Sequence, residues 1–202
     1  MIDEKRFMSR KNIVILGEDN IIRKKFATKS AMGNELFYHT ELQKAGLTVP
    51  RLLKQDEDEL YYEYIDGMHY LNCLNAWEEL FNQSKKPSLH IWVKLAEWLC
   101  CFYEKCPGMI TGDPNLRNFI LDDVGNCYGI DFEDYMRGDK YEDIAVLLSY
   151  IATYNPAMTE GKQIICHSLL DVFTDRLDIT RDKLSMIWSR KLFELEERRN
   201  KR

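Results

Sequence analysis

Hydrophobic residues change their spacing about a third of the way along this chain. Early on they come in short runs or alternate. Ile13-Val14-Ile15-Leu16 is an apolar run, and Gly17-Glu18-Asp19-Asn20 is a turn. From 21 to 26 the pattern alternates, with Ile22, Lys24 and Phe26 on one face and Ile21, Arg23 and Lys25 on the other. This predicts a β-hairpin. Residues 5–8 supply a further strand, with Ser9-Arg10-Lys11-Asn12 as its loop. Between 31 and 46 the period lengthens: Met32, Leu36, His39 and Leu42 fall on one helical face, Glu35 sits at its edge, and Gly46 is a natural stop. His39 on that face reads as a packed core residue. Strands are expected again over 49–53, where Pro50 suits a strand start, and over 60–65, with Asp56-Glu57-Asp58 as a turn between them. Asp66-Gly67 closes the second.

Beyond that point the pattern is mainly helical. Helices are expected over 72–83 and 88–106, the latter with Ile91, Leu95, Leu99 and Phe102 in one stripe and Ser88 as N-cap; Pro107-Gly108 ends it. Three more follow, over 141–154, 159–176 and 180–199, and the last runs into a charged, solvated end. The order is α+β: a small antiparallel sheet with one helix, then a mainly helical lobe. The division is expected at 1–66 and 67–202, with a cleft between the two.

One stretch breaks the helical pattern. Residues 111–131 read TGDPNLRNFILDDVGNCYGID. Asp113 and Asn118 are five positions apart on a loop containing Pro114, followed by the apolar Phe119-Ile120-Leu121, a turn at 122–126 and a second strand over 127–130 that ends on Asp131. A hairpin there returns Asp131 to the end where Asn118 starts. Three oxygen-bearing side chains then meet at one mouth. Phosphoryl transfer needs such a set, with one carboxylate for the attacking hydroxyl and an Asn and an Asp to hold Mg2+ against phosphates.

Composition narrows the setting. The chain has 202 residues, 45% hydrophobic and 30% charged, which suits one domain or two small lobes. Its net charge of −5 gives no reason to expect nucleic-acid binding. No apolar run approaches a membrane span, and the start, MIDEKRFMSR, has no apolar signal-peptide core. The six cysteines include no C-x-x-C pair and read as reduced thiols of a cytoplasmic protein.

These residues resemble the protein-kinase-like superfamily, above all its aminoglycoside and choline phosphotransferase branch, with compact RIO-like and Kdo-kinase-like relatives nearby. Thr111-Gly112-Asp113-Pro114-Asn115-Leu116-Arg117-Asn118 is similar to the H-G-D-x4-N catalytic loop, and Ile130-Asp131-Phe132-Glu133-Asp134 to the metal motif. Gly138 to Ala145 is similar to the segment that follows it, and Tyr62 to Gly67 to the hinge. The resemblance implies a two-lobed fold and an ATP- and Mg2+-dependent kinase, with ATP and a hydroxyl-bearing small molecule or protein as its partners. It implies Asp113 as catalytic base and Asn118 and Asp131 as metal ligands. It implies Lys24 on the ATP phosphates, paired with Glu35, and backbone groups from Glu63 to Ile65 for the adenine. Asp143 would support the catalytic loop.

Two choices stay open. Strand alternation favours Lys24 over Lys25, and family spacing favours Glu35 over Glu41. The chain also departs from the pattern. Thr111 replaces the usual His, no G-x-G-x-x-G precedes Lys24, and the gap from Asp131 to Asp143 is too short for a long activation segment. Ser9 to Asn12 could offer hydroxyl and amide hydrogens to phosphate instead. Only about 45 residues separate Ile65 from the catalytic loop, which shifts weight toward compact relatives acting on proteins or sugars. Glu133 and Asp134 read as a solvated acidic rim. An inactive, nucleotide-binding regulatory module is the alternative to an active kinase.

Overall fold

The computed structural model describes residues 5–7, 9 and 11–200, and the side chains of all but 198–200. Five strands form the first sheet: β1 (Lys5–Phe7), β2 (Ile13–Leu16), β3 (Ile21–Lys25), β4 (Leu52–Gln55) and β5 (Glu59–Glu63), in the antiparallel order β1-β2-β3-β5-β4. The alternation along β3 holds in three dimensions. Lys24 is buried, and Lys25 is half-exposed and paired with Asp58 at 2.9 Å.

Helix α1 (Lys29–Lys44) packs on this sheet. Thr28 caps it, its Oγ accepting from the Ala31 N–H at 3.2 Å. The helix ends in a Schellman turn: Gly46, at φ +73°, donates to the Gln43 carbonyl and Leu47 to that of Leu42, each at 3.0 Å. Its buried face is Met32, Glu35, His39 and Leu42. Glu35 was expected at the edge of the apolar stripe. It lies at the centre instead, and Leu36 is only partly buried, because charged partners await the carboxylate beneath the helix.

The helical lobe holds α2 (Tyr70–Asn82), α3 (His90–Lys105), α4 (Lys140–Thr153), α5 (Glu160–Arg176) and α6 (Arg181–Asn200). α4 packs on α6 and α3 on α5, around a core that includes Leu95, Leu99, Ile144, Leu148, Leu169 and Phe173. The hairpin expected after the catalytic-loop stretch is β8 (Phe119–Asp122) with β9 (Cys127–Gly129), joined at Phe119↔Gly129. A third strand, β6 (Gly67–His69), adds to β8. The two-residue strands β7 (Met109–Ile110) and β10 (Met136–Arg137) also pair. These three were not foreseen, being too short to carry a period.

Smaller departures have local causes. The strand expected over 49–53 starts at Leu52, since Val49 and Pro50 are drawn into the core and the Pro50 carbonyl takes the His39 ring at 2.6 Å. The strand expected over 60–65 stops at Glu63, where the chain crosses to the second lobe. The helix expected from 72 begins at Tyr70. Leu89, not Ser88, is the N-cap position of α3, and the Ser88 hydroxyl accepts from His90 N–H one step earlier. The six cysteines are free thiols, and among the described residues no helix is long and apolar enough to cross a membrane.

A chain of rings joins the lobes. Tyr62 of β5 meets His39 at 5.1 Å between centroids, His39 meets Phe132 at 5.6 Å, and Phe132 meets Tyr135 at 5.1 Å. Tyr135 then meets Phe102, which stacks on Trp98. His39 is the polar link. Its Nε2 faces the Pro50 carbonyl and its Nδ1 is buried with no partner. Burial holds its pKa below the ordinary 6.5, against the pull of that carbonyl. The unfolded chain therefore takes up the proton first as pH falls, and stability present above about 6.5 is lost below it. The urea midpoint should drop between about pH 7 and pH 5, and less so in His39→Gln. Equal slopes in both proteins would show that His39 carries no such linkage.

Candidate active site

β3 is paired on both edges, with Val14↔Lys24 on one side and Lys24↔Leu60 on the other, so the Lys24 side chain can only leave the sheet face. It runs over Phe26 to meet Glu35 Oε2 at 3.1 Å and Asp131 Oδ1 at 2.8 Å. Glu35 is saturated: Oε1 accepts from the Tyr62 hydroxyl at 3.2 Å, and Oε2 also takes the Phe132 N–H at 2.7 Å. Burial pulls the Lys24 pKa down, but Glu35 and Asp131 outweigh it and hold the ammonium above its ordinary value. Burial pushes the Glu35 carboxyl up, opposed chiefly by Lys24. With an ammonium and an amide both on Oε2, we read the pair as ionised. Glu41, the other candidate, pairs with Lys44 on the exposed side of α1.

Register explains how the acids meet. Phe119 faces Gly129 across the hairpin, and the Ile130 N–H donates to the Asn118 carbonyl at 2.9 Å. Asn118 and Asp131 therefore stand side by side at the hairpin's open end. Asp131 has φ +65°, a left-handed conformation that few side chains adopt, and this aims its carboxylate back toward Lys24. Asn118 Nδ2 donates to the Asp113 carbonyl at 3.0 Å, and its Oδ1 takes no hydrogen bond among the described residues. Asp131 keeps Oδ2 unbonded among the described residues. No cluster of three or more His, Cys, Asp or Glu able to hold a metal occurs among those residues.

Asp113 is half-buried. Burial raises its carboxyl above the ordinary range; a Tyr150 hydrogen bond and the Lys11 charge pull the other way, while Asp134 and Asp131 push it further up. Its loop is held from below by Asp143 of α4. That carboxylate accepts from Thr111 N–H at 2.8 Å, Thr111 Oγ1 at 2.9 Å, Gly112 N–H at 3.2 Å and the Tyr103 hydroxyl at 2.8 Å. Burial still raises its pKa despite these bonds. Directly after α4, at its C-cap, the Tyr154 hydroxyl donates to Asn115 Oδ1 at 2.9 Å. Gly112 has φ +74°, and a Cβ there would lie 2.2 Å from the Asp134 carbonyl oxygen. The loop thus lies directly against the segment after Asp131.

That segment is the solvated rim expected of it only at Asp134, which is exposed. Glu133 is buried and accepts from Asn12 Nδ2 at 2.8 Å, while Asn34 Nδ2 donates to its carbonyl at 3.2 Å. Asn12 Oδ1 is used as well, by Ala27 N–H, and the Ser9 hydroxyl accepts from Asn12 N–H. Asn12 thus spends its N–H and both side-chain polar atoms on fixing the loop, while Ser9 only accepts and keeps its hydroxyl hydrogen. These contacts span over 90 residues of sequence and left no signal in it.

At the crossing between lobes, Glu63 commits its N–H to the Arg51 carbonyl at 3.0 Å and its side chain to Arg51 N–H at 2.8 Å. Ile65 makes no backbone hydrogen bond among the described residues. A surface cavity of about 430 Å³ lies elsewhere, beside Tyr103, Met109 and Lys140.

The fold is the protein-kinase-like one. A ternary complex of APH(2'')-IIa with streptomycin and ATP matches 94% of this chain and 80% of its own length, at TM-score 0.65 and 12% identity. A co-crystal of WbdD with a kinase inhibitor matches 93% of this chain at TM-score 0.58 and 17% identity. The bifunctional kinase-methyltransferase WbdD matches again at TM-score 0.50 and 12% identity. The chain spans about half the length of the WbdD chains it matches. No protein-family model and no curated sequence matches it. At these identities the likeness is one of fold alone, a protein-kinase-like fold shared with APH(2'')-IIa and with part of WbdD.

The Asp143 network sets a measurable expectation. Asp143→Ala strands the buried Thr111 amide and Tyr103 hydroxyl and removes the partner of the Gly112 amide, and should cost about 2–4 kcal/mol in urea unfolding. A loss below about 0.5 kcal/mol would mean the loop does not depend on α4.

Proposed function

We propose that this chain is an ATP-dependent phosphotransferase that moves the γ-phosphate to a hydroxyl of a small molecule or a protein. The observation that supports this most is Lys24, held between Glu35 and Asp131 where the two lobes meet, with Asn118 beside Asp131 and Asp113 on the same loop. In this reading residues 1–66 form the nucleotide lobe and 67–202 the catalytic lobe. That division fits β6, which begins at Gly67 and joins the β8–β9 hairpin of the second lobe. The six free thiols suit a reducing, cytoplasmic setting.

The donor set suits Mg2+. The ion takes few protein oxygens and leaves the rest of its shell to water and phosphate. Asn118 Oδ1 and Asp131 Oδ2 take no hydrogen bond among the described residues. Bound there, Mg2+ would neutralise charge on the phosphates. Lys24 would contact the phosphates while Glu35 fixes its direction. The backbone of Glu63 to Ile65 would meet the adenine, and the uncommitted Ile65 amide is the group best placed to donate. Asp113 would orient the acceptor hydroxyl and take its proton as the new P–O bond forms and the bond to the β-phosphate oxygen breaks, leaving ADP. Thr111, in the usual His position, serves the loop through Asp143 and does not touch the chemistry.

Two measurements separate the outcomes. A non-hydrolysable ATP analogue with Mg2+ at 100-fold over its Kd should stabilise the fold by about 2.7 kcal/mol. Asp113→Asn should lower turnover by about 100-fold or more and leave analogue binding near wild type. A wild type that binds the analogue yet turns over no acceptor is a regulatory, catalytically inactive module. One that binds no nucleotide at all sinks the proposal.

A further inference from the structure

The loop between β1 and β2 reaches across the cleft. Asn12 anchors it to Glu133, as described, and this fixes where Lys11 points. The Lys11 ammonium lies 3.2 Å from both carboxylate oxygens of Asp134 and 3.4 Å from Glu133 Oε1. Asp134 is itself packed against Gly112, next to Asp113. A cation carried by the first lobe therefore stands over the mouth where Asp113, Asn118 and Asp131 meet.

Charge makes this placement consequential. Glu35, Asp113, Asp131, Glu133 and Asp134 put five carboxylates around the mouth. Lys24 and Lys11 are the ammoniums paired with them among the described residues. Lys24 is buried and saturated by two acids. A polyphosphate entering so acidic a cleft needs further positive charge, and this loop has no glycine-rich sequence to supply amides. Lys11 is also free to be given up. Its side chain is 60% exposed and that of Asp134 is 48% exposed, and such pairs contribute under about 1 kcal/mol. A phosphate carries more charge than the carboxylate it would replace.

We propose that Lys11 is a second phosphate-binding cation, resting on Asp134 in the unliganded chain and transferring to the terminal phosphates of a bound nucleoside triphosphate. This rests on the nucleotide reading of the cleft. It assigns Asp134 the part of a resting partner rather than an acceptor-binding acid, and it gives the β1–β2 loop a reason to be pinned by Asn12.

Calorimetry with two probes tests it: AMP-PNP with Mg2+, and adenosine. Lys11→Met should weaken AMP-PNP binding by about tenfold and leave adenosine within about twofold, with Lys11→Arg restoring most of the loss. Asp134→Asn should tighten AMP-PNP binding, and that gain should vanish when Lys11→Met is also present. Lys11→Met binding AMP-PNP as the wild type does would overturn the role of Lys11 while leaving the kinase reading intact. An equal Asp134→Asn gain in both backgrounds would reduce the effect to general charge removal and overturn the transfer. A wild type that binds neither probe would remove both readings together.

Discussion

An ammonium ion with almost no access to water, held by two carboxylates from different parts of the chain, constrains most of this structure. Burying Lys24 alone would be costly, and burying Glu35 alone equally so. Together, and with Asp131, they are compensated. Breaking such a buried pair from one side costs about 3–5 kcal/mol, a large share of a small domain's stability. Three placements follow from it. α1 must lie across β3 with Glu35 facing inward. The chain after β9 must turn through a left-handed residue so that Asp131 arrives at the same ammonium. The Phe132 amide must then sit under Glu35 Oε2.

Once Phe132 is placed, the aromatic series through His39, Tyr135, Phe102 and Trp98 carries that position into the helical core. Two further struts hold the same junction. Asn12 and Asn34 bind Glu133 from the first lobe. Asp143 holds Thr111 and Gly112 from below. The cluster is thus fixed from both lobes, while Asn118 Oδ1 and Asp131 Oδ2 stay unbonded among the described residues. A rigid frame with a few uncommitted oxygens is what positioning a charged ligand requires.

Much of this was legible in the residues because it depends on local periodicity. Alternation along β3 separates Lys24 from Lys25 without any knowledge of the fold. The apolar runs on either side of 122–126 define the β8–β9 hairpin, and the hairpin alone brings Asn118 beside Asp131. The helix stop at Gly46 follows from capping chemistry, whereas the start came out two residues earlier than the apolar period gave, capped by Thr28. Other features had no local trace. β6, β7 and β10 exist because distant partners offer free backbone groups, and Pro50 leaves its expected strand because His39 needs its carbonyl. Glu133, adjacent to acids and beside a turn, looked solvated; a single asparagine 121 positions earlier makes it an anchor.

The sequence by itself determined which side chains share a face and which loop carries the acids, since period and turn chemistry act over a few residues. Only the tertiary structure decided which charges touch: that Lys24 bridges Glu35 and Asp131, that Asn12 engages Glu133, and that Lys11 closes over Asp134. Electrostatic partners are chosen by distance through space and by loss of water. Neither is written in the spacing of residues along the chain.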